Sequence, residues 1–401
     1  MIRHRYLRGI DNMKITNVEL TPTVYVRLKN PLIDSITRKT HERHCAVLIR
    51  TDEGITGVGP IHHYGIEGIK AVIETEFKDV ILGEDPFSYE RIWDKMYWHS
   101  SKFGRKGIPI EALGSIDLAI WDIMGKATGK PVYKLMGGYR DKVKAYYSGI
   151  DLHLTIPELV KFHQEGIEDG YDTIKTKLGK VDPNKDIERV KALRDALGND
   201  INIAVDANNL WTANRAITQA KKLERFDIFW LEEPTQPEDT QGLAKVAAST
   251  GIPIALGEEE FGEYAFRDLI ERGIVGIIIG MPTKFGGLTA WRRVAAMAHA
   301  YNIPFAPQGG LEGMHAAASI PNALMIEAGA IGAGTSRAEW KVPSLYKPPP
   351  TYAGKGYFEL PQTPGLGIEI DYELIKKQKD VPWEPYVHIP PYSSIPSKAR
   401  L

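Results

Sequence analysis

The sequence has little that would tie it to an oxidising compartment, a membrane or a polyanion. Its 401 residues include a single cysteine, Cys45, which excludes an intrachain disulfide and fits a reducing compartment. No apolar run approaches the roughly 20 residues of a membrane span, and the basic start lacks the apolar core of a signal peptide. The formal net charge of -1 gives no reason to expect nucleic acid or an anionic membrane as partner. We therefore expect a cytoplasmic protein with neither partner.

The chain is long enough for more than one unit, and its pattern changes along its length. The runs Ile15–Leu28 and Arg43–Arg50 are β-rich, and Glu111–Thr128 has the spacing of an amphipathic helix. We expect an N-terminal extension over residues 1–13 (with Met13 as a candidate start) and an α+β capping domain over 14–138. A barrel over 139–340 and a C-terminal tail over 341–401, packed partly on the capping domain, complete the predicted division.

From about residue 143, short β-rich runs alternate with helical stretches, which favours βα units and a parallel sheet. Eight such runs are present: Val143–Ser148, Thr173–Lys177, Ile201–Asp206, Ile228–Glu232, Ile254–Gly257, Val275–Ile279, Pro304–Ala306 and Leu324–Glu327. Several are almost wholly apolar, as strands buried on both faces are. An open doubly wound sheet is the alternative, but no glycine-rich phosphate loop follows the first run. The pattern predicts a closed barrel.

Three acidic residues recur with a constant period at the ends of these strands. Asp206, Glu232 and Glu258 are each separated by 26 positions, so each βα unit returns a carboxylate to the same end of the barrel. Converging carboxylates repel one another unless a cation binds them. Oxygen ligands without histidine or cysteine favour Mg²⁺, with Mn²⁺ as the alternative. The competing interpretation is that each acid only caps the helix after its strand.

Two lysines lie one βα unit before the first of these acids. Lys175 and Lys177 are two positions apart on a strand and therefore face the same side, into the predicted barrel mouth. A neighbouring ammonium and a divalent cation both favour a neutral amine, so we expect the pKa of at least one lysine to fall. A neutral lysine can act as a general base. The alternative is a pair of strand-end lysines matched with surface acids.

Several phrases make the pattern specific. They are Leu118-Ala-Ile-Trp121-Asp122-Ile-Met-Gly125-Lys126, Gly129-Lys-Pro131-Val-Tyr-Lys-Leu135-Met-Gly137-Gly138, Leu231-Glu232-Glu233-Pro234 and Lys284-Phe-Gly286-Gly287-Leu-Thr289. With the acids and lysines, they resemble the enolase superfamily in its mandelate racemase and muconate lactonizing branch. The resemblance implies a modified TIM barrel, (β/α)₇β, with an α+β capping domain and an enediolate intermediate on a divalent metal. It implies Lys177 as the base, Lys175 as its carboxylate-contacting neighbour, and Glu327 as a hydrogen-bonding partner of the developing oxyanion.

The chain departs from that family at the second base. Relatives of the mandelate racemase type carry an Asp after the sixth strand and a His after the seventh, where this chain has Met281 and Gln308. Lys284, beside the glycines, is interpreted as structural. Because racemisation needs groups on both faces, the departure favours a one-base reaction, in which the β-hydroxyl leaves as water.

The proton for that water would come from protonated Lys177 or from Glu260. His315 could replace the missing base, but a helix-face histidine that contacts its neighbours is the preferred interpretation. We predict dehydration of an acid sugar, an aldonate or aldarate, to a 2-keto-3-deoxy acid. An epimerase, racemase, cycloisomerase or lactonizing enzyme, and a metal-binding homologue without turnover, remain open alternatives.

The substrate contacts are the least determined part of the site. After a predicted loop at Asn30–Thr37, the first domain offers a basic segment that starts at Arg38, and His63 follows a later turn. These side chains suit a polyhydroxylated acid, although a solvated basic loop explains them equally well. We predict a small carboxylate substrate that contacts a set of five residues and a protein that assembles as a homo-oligomer. The five are Asn208, Arg38, His63, Glu260 and Met281.

Overall fold

A computed structural model describes residues 12–62, 64–180, 182–328, 344–378 and 387–388. Within those ranges, none of the helices has the length and apolar character needed to cross a membrane.

The N-terminal part forms an antiparallel sheet followed by helices. Its strands are β1 (Ile15–Leu20), β2 (Val24–Ile33), β3 (Thr37–Thr51) and β4 (Thr56–His62). The long strand β3 pairs with all three others. Two expectations are corrected here. The run expected from Ile15 to Leu28 is broken at residues 21–23, and the loop expected at residues 30–37 is a short hairpin turn, because β2 and β3 continue pairing as far as Ile33 and Arg38.

Helices cover one face of this sheet. They are α1 (Ile66–Val72), which continues through a π-helical turn (Ile73–Phe77) into α2 (Lys78–Ile81), then α3 (Tyr89–His99), α4 (Ile108–Thr128) and α5 (Val132–Leu135), with 3-10 turns at Pro86–Ser88 and Ser100–Lys102. The apolar helix α4 lies directly on β4. A Cβ at Gly57 or Gly59 would lie within about 2 Å of a carbonyl oxygen of α4, so only glycine permits this approach.

The central part is a βα barrel. Its strands are β5 (Lys142–Ser148), β6 (Thr173–Lys177), β7 (Asn202–Asp206), β8 (Ile228–Glu232), β9 (Ile254–Leu256), β10 (Ile277–Gly280), β11 (Phe305–Pro307) and β12 (Ile326–Glu327). Its helices are α6 (Ile156–Glu168), α7 (Pro183–Leu197), α8 (Ala213–Leu223, then a 3-10 turn Glu224–Phe226), α9 (Thr240–Ser249), α10 (Gly262–Glu271), α11 (Pro282–Phe285), α12 (Gly287–Ala300) and α13 (Leu311–Ser319). All eight predicted strands are confirmed within a few residues.

The parallel strands pair in chain order from β5 to β11, and β12 pairs with β5. Between the seventh and eighth strands, the amide of Phe305 donates to Asn322 and the amide of Leu324 donates to Phe305, which closes the cylinder. The architecture is the expected (β/α)₇β barrel with an α+β cap. Small and large side chains from different strands fill its interior, among them Ala204, Trp230 and Met325.

The cap is bound to the barrel through sequence segments that carry the family resemblance. Buried Asp117 on α4 accepts hydrogen bonds from the amide and hydroxyl of Thr289, and Trp93 donates to the carbonyl of Gly286 at 2.7 Å. A Cβ at Gly287 would meet Asp117 at about 2.3 Å. These contacts fix the segment after the sixth barrel strand against the cap.

The described tail residues run over both units. Their elements are β13 (Tyr346–Lys347), β14 (Thr351–Gly354), β15 (Tyr357–Glu359), β16 (Glu369–Ile370), α14 (Tyr372–Lys377) and β17 (Val387–His388). Strand β15 pairs with β5 of the barrel, whereas β17 pairs with β3 of the cap. The hydroxyl of Tyr346 also donates to the carbonyl of Cys45, in the cap. The domain limits at residues 138 and 340 stay a prediction.

Candidate active site

A cavity of about 160 Å³ lies between the cap and the carboxyl-terminal ends of the barrel strands. Polar side chains dominate its lining: Leu32, Asp34, Lys39, Glu42, Tyr64, Ser148, Ile150, Lys175, Lys177, Asn208, Glu258, Glu259, Met281, Lys284, Gln308 and Glu327. Residues from the cap and from seven of the eight barrel strand ends or the loops that follow them therefore meet here. This is the end of the barrel where ligands bind in proteins of this architecture.

The predicted acids lie at or next to this cavity. Asp206 and Glu232 end adjacent strands in matching register and are fully buried, while Glu258 follows the next strand and lines the cavity. The indole of Trp230 donates to Glu232 at 2.9 Å, and the amide of Asn208 donates to Asp206 at 2.8 Å. Asp206 and Glu232 therefore have fixed partners and do not themselves line the cavity.

Both predicted lysines project to the same place. The ammonium of Lys175 lies 2.7 Å from Glu232, 3.0 Å from Glu327 and 3.7 Å from Asp206. That of Lys177 lies 2.5 Å from Asp206. Glu327, at the end of the eighth strand, also accepts a hydrogen bond from the hydroxyl of Ser148. The structure thus brings together Lys175, Lys177, Asp206, Glu232 and Glu327 in one buried ion-pair network.

The expectation that the pKa of at least one lysine falls is wrong for this arrangement. Burial alone would lower the pKa of Lys175, but the carboxylates of Glu232 and Glu327 outweigh burial and hold it well above its ordinary value. Burial is likewise outweighed at Lys177, where Asp206 raises the pKa. The expected fall depended on a neighbouring ammonium and a bound cation, whereas in this arrangement both ammonium groups pair directly with carboxylates.

The oxygen atoms of Asp206, Glu232 and Glu258 suit a divalent cation, although in this structure the three carboxylates are paired with lysine and glutamine side chains. In the described ranges, no three acidic, histidine or cysteine side chains are close enough together to hold a metal ion. Burial raises the pKa of Glu232, whereas the ammonium of Lys175 lowers it, and a bound divalent cation would stabilise the ionised carboxylate in the same way. The side-chain oxygen of Asn208 is also buried, without a hydrogen-bond partner among the described residues. Carboxylate and amide oxygens are the ligands of Mg²⁺, so these residues fit that ion, and their role as ligands stays a prediction.

The backbone is strained beside the acids. Asn208 and Glu233 have φ angles of 43° and 42°, in the left-handed region that side chains with a Cβ disfavour. Each follows a strand-end carboxylate by one or two positions. Strain of this kind persists where the surrounding structure holds it, and functional sites are where it concentrates.

The far side of the cavity comes from the sixth and seventh strands. Met281 and Gln308 both line it, and the amide nitrogen of Gln308 donates to Glu258 at 2.9 Å. Lys284, interpreted as structural, lines the cavity as well and lies 3.3 Å from Glu111 and 3.8 Å from Glu259. The short helix α11 points the side chain of Lys284 into the cavity. The position of Lys284 in the sequence, beside Gly286 and Gly287, does not show this direction.

Two of the predicted substrate contacts do not line the cavity. Arg38 is exposed and does not line the cavity, whereas its neighbour Lys39 is buried there and lies 2.6 Å from Glu42. Alternation along β3 places adjacent side chains on opposite faces, and this signal was available in the sequence. Glu260 does not line the cavity, whereas its neighbour Glu259 does.

One predicted contact is not described, and one lining residue was not predicted. His63 lies outside the described residues. Asp34, at the tip of the β2–β3 hairpin, lines the cavity and was missed, because the segment was interpreted as a longer loop. Its carboxylate accepts hydrogen bonds from the amides of Ile36 and Thr37, and burial raises its pKa.

His315 is not part of the cavity. It is fully buried on α13, where its Nδ1 accepts the amide hydrogen of Tyr133 and its Nε2 donates to the carbonyl of Leu366. Burial lowers the pKa of the imidazole to about 4, so the ring is neutral. The preferred interpretation, a helix-face histidine that contacts its neighbours, is confirmed.

Comparison with family models matches both parts of the chain. Residues 17–137 match the model described as "Mandelate racemase / muconate lactonizing enzyme, N-terminal domain", and residues 158–374 match "Enolase C-terminal domain-like".

Known proteins resemble the chain over most of its length. A 3,6-anhydro-alpha-L-galactonate cycloisomerase of Streptomyces coelicolor is 33% identical over 350 residues, which cover 84% of this chain and 94% of the relative. An arabinonate dehydratase of Saccharolobus solfataricus is 35% identical over 285 residues, with coverage of 69% and 76%. The crystal structure of a racemase from Streptomyces coelicolor, with bound magnesium, superposes with a TM-score of 0.84 at 31% identity. It covers 91% of this chain and 99% of that one.

Proposed function

The chain belongs to the mandelate racemase and muconate lactonizing enzyme branch of the enolase superfamily, and on that premise we propose that it is a magnesium-dependent dehydratase of acid sugars. The observation that carries the proposal is the cavity at the carboxyl-terminal end of the barrel. Two buried lysines, Lys175 and Lys177, line it beside strand-end carboxylates. A relative of similar length is named as an arabinonate dehydratase, and a solved relative contains magnesium.

Asp206, Glu232 and Glu258 would hold Mg²⁺, with Mn²⁺ as the alternative ion. A divalent cation bound there would stabilise negative charge on the substrate's carboxylate oxygens. Support comes from the oxygen-only donor set and from the burial of two of its members at adjacent strand ends. The ammonium groups of Lys175 and Lys177 occupy the same carboxylate oxygens and would have to turn toward the cavity.

Lys177 is the proposed base. In its neutral form, its Nζ takes the proton from the α-carbon of the substrate, and the electron pair of that bond moves onto the substrate's carboxylate. The pair returns to form the Cα–Cβ double bond when the β-hydroxyl leaves. Lys175 would hold the substrate carboxylate from the neighbouring position of the same strand face. Glu327, already within 3.0 Å of Lys175, would contact the oxygen on which charge develops.

Loss of water completes the reaction. As the Cβ–O bond breaks, the leaving hydroxyl takes a proton from the enzyme, and the resulting enol becomes a 2-keto-3-deoxy acid. Lys284 is well placed for this step, because it enters from the sixth barrel strand and Lys177 from the second. In a closed barrel of eight strands, these are four strands apart in either direction, on opposite sides of the mouth.

The cap side of the cavity suits a chain of hydroxyl groups. Lys39 and Glu42 form a buried ion pair there, and Asp34 faces the same space. Carboxylates and an ammonium at this end offer acceptors and donors to successive hydroxyls. A substrate such as an aldonate or aldarate would place its reacting carboxylate at the barrel and its polyol toward the cap.

A panel of aldonates and aldarates tests the proposal. The purified protein with Mg²⁺ should form a 2-keto acid from at least one member, and chelation of the ion should stop it. Lys177→Met should lose the activity while keeping its circular dichroism spectrum. Lys191→Met, on an exposed lysine of α7, is the matched control and should retain full activity. A panel without any magnesium-dependent 2-keto acid would contradict the proposal.

A cycloisomerase is the second candidate, since a relative with that name covers 84% of this chain. Lys177 would again take the α-proton, but the product would keep the mass of the substrate. Mass spectrometry of the reacted panel separates the two functions, because the dehydratase product is lighter by one water.

A further inference from the structure

Asp151 carries a buried carboxylate just behind the proposed base. It follows the first barrel strand and is fully buried. One oxygen, Oδ1, accepts the amide hydrogen of Lys177 at 3.0 Å, the hydroxyl of Thr176 at 3.1 Å and the guanidinium of Arg189 at 3.2 Å. The other, Oδ2, contacts Nε2 of buried His163 at 3.0 Å. Groups from the second barrel strand and from helices α6 and α7 therefore meet at this one carboxylate.

The carboxylate replaces a backbone acceptor that the sheet does not provide. Pairing between β5 and β6 ends at Ser148 and Lys175, because the chain then turns away from β6. Two residues later, the amide of Lys177 has no strand carbonyl to bond, and Asp151 takes that position. A Cβ at Gly149 would lie about 2.4 Å from Oδ2, so the turn before Asp151 leaves room only for glycine.

The segment around Asp151 also binds the β2–β3 hairpin of the cap. The amide of Leu152 donates to the carbonyl of Ile33 at 3.1 Å, and Ile33 forms an isolated parallel bridge with Asp151. Ile33 directly precedes Asp34, the cavity-lining tip of the cap hairpin. One short loop is thus bonded both to the backbone of Lys177 and to the hairpin that covers the cavity.

We infer that Asp151 is a positioning residue that aligns Lys177 and seats the β2–β3 hairpin over the cavity through a single buried network. This rests on the proposed function insofar as Lys177 is the base. Asp151 does not reach the cavity itself, so it acts through the amide of Lys177 and the bond to Ile33.

Asp151→Asn tests the inference, since it keeps the shape but removes the charge and one acceptor. With an acid sugar that the wild-type enzyme dehydrates, kcat should fall roughly 10- to 100-fold, because a small displacement of a reacting group has effects of that size. KM should change less than about threefold. Asp122→Asn is the matched control, a buried carboxylate that accepts two amide hydrogens and a lysine outside the cavity. It should lower the melting temperature without this kcat effect.

A second pair of variants guards against simple misfolding. His163 packs against the rings of Tyr147 and Phe162, so His163→Phe should fold while removing one donor to Asp151. It should lower kcat severalfold, and His163→Gln, which keeps a donor, should restore most of it. If Asp151→Asn and Asp122→Asn changed kcat equally, or if Asp151→Asn left kcat unchanged, the inference would be wrong.

Hydrogen exchange gives a readout that does not need turnover. In the magnesium-loaded protein without substrate, peptides that carry Lys177 and Leu152 should exchange faster in Asp151→Asn than in the wild type, and the control Asp122→Asn should leave both unchanged. Unchanged protection at Lys177 would overturn the inference even if the acid-sugar panel gave no product, whereas a failed panel with faster exchange would contradict only the proposed reaction.

Discussion

Buried His315 offers a quantitative test of whether this histidine is a neutral structural residue or a second base. The imidazole joins three parts of the chain: it lies on α13, accepts the amide hydrogen of Tyr133 in the cap and donates to Leu366 in the tail. We consider His315→Gln, because a glutamine oxygen can accept from Tyr133 and its nitrogen can donate to Leu366. The change keeps both bonds and removes the titrating group.

The magnitude follows from the pKa. Burial lowers the pKa of His315 from its ordinary 6.5 to about 4, so between these values the unfolded chain binds a proton that the folded chain does not. Stability from this group is complete above the unfolded pKa and is lost as pH falls toward the folded one. At about 1.4 kcal/mol per pKa unit, the loss is about 2 kcal/mol at pH 5 and about 3 kcal/mol at pH 4.

Chemical denaturation of the wild type and His315→Gln at pH 7.5 and pH 5 measures this loss of stability. The wild type should lose about 2 kcal/mol more stability than His315→Gln over this interval, because other titrating groups contribute equally to both. At pH 7.5, kcat should agree within about threefold. Equal pH dependence would refute the buried neutral histidine, and a collapse of kcat in a folded variant would mean that His315 is the second base after all.

Three further results are expected. Glu232→Gln should abolish the rise in melting temperature that Mg²⁺ gives the wild type, as a differential scan with and without chelator would show; an equal rise in both would remove Glu232 from the ligands. Gly149→Ala should cost a few kcal/mol in urea unfolding, since its Cβ would lie about 2.4 Å from Asp151. Gly251→Ala, whose Cβ would have no atom of a described residue within 4 Å, should cost under about 1 kcal/mol. Lys284→Met should slow water loss at least tenfold while α-proton exchange in heavy water continues, and equal loss of both would contradict its role as acid.

The barrel and the positions of the acids were predictable because their signals are local. Strands buried on both faces are apolar, and a constant βα period puts Asp206 and Glu232 at one end of a cylinder. Lys175 and Lys177 follow from strand alternation alone. Each of these inferences needs only one element and its spacing.

The rest of the site depends on contacts between elements that are distant in the sequence, and such contacts have no local sequence signal. Lys284 lies in a short helix whose rotation is set by the cap, through Trp93 and the glycine pair, so its direction has no local signal. The partners of the Asp151 carboxylate come from three separate elements, α6, β6 and α7. Arg38 is different, because alternation along β3 could have shown that Lys39 faces inward. The predicted homo-oligomer is not addressed by a single chain and stays a prediction.

The most direct test of the account is proton exchange at the α-carbon. In heavy water with Mg²⁺, proton NMR of an aldonate and aldarate panel should show the C2 proton of a substrate disappearing with wild-type protein. With Lys177→Met it should persist, while Lys191→Met should behave as the wild type. Retention of the C2 proton throughout the panel with wild-type protein, or its loss at an undiminished rate with Lys177→Met, would contradict the claim that Lys177 removes the α-proton.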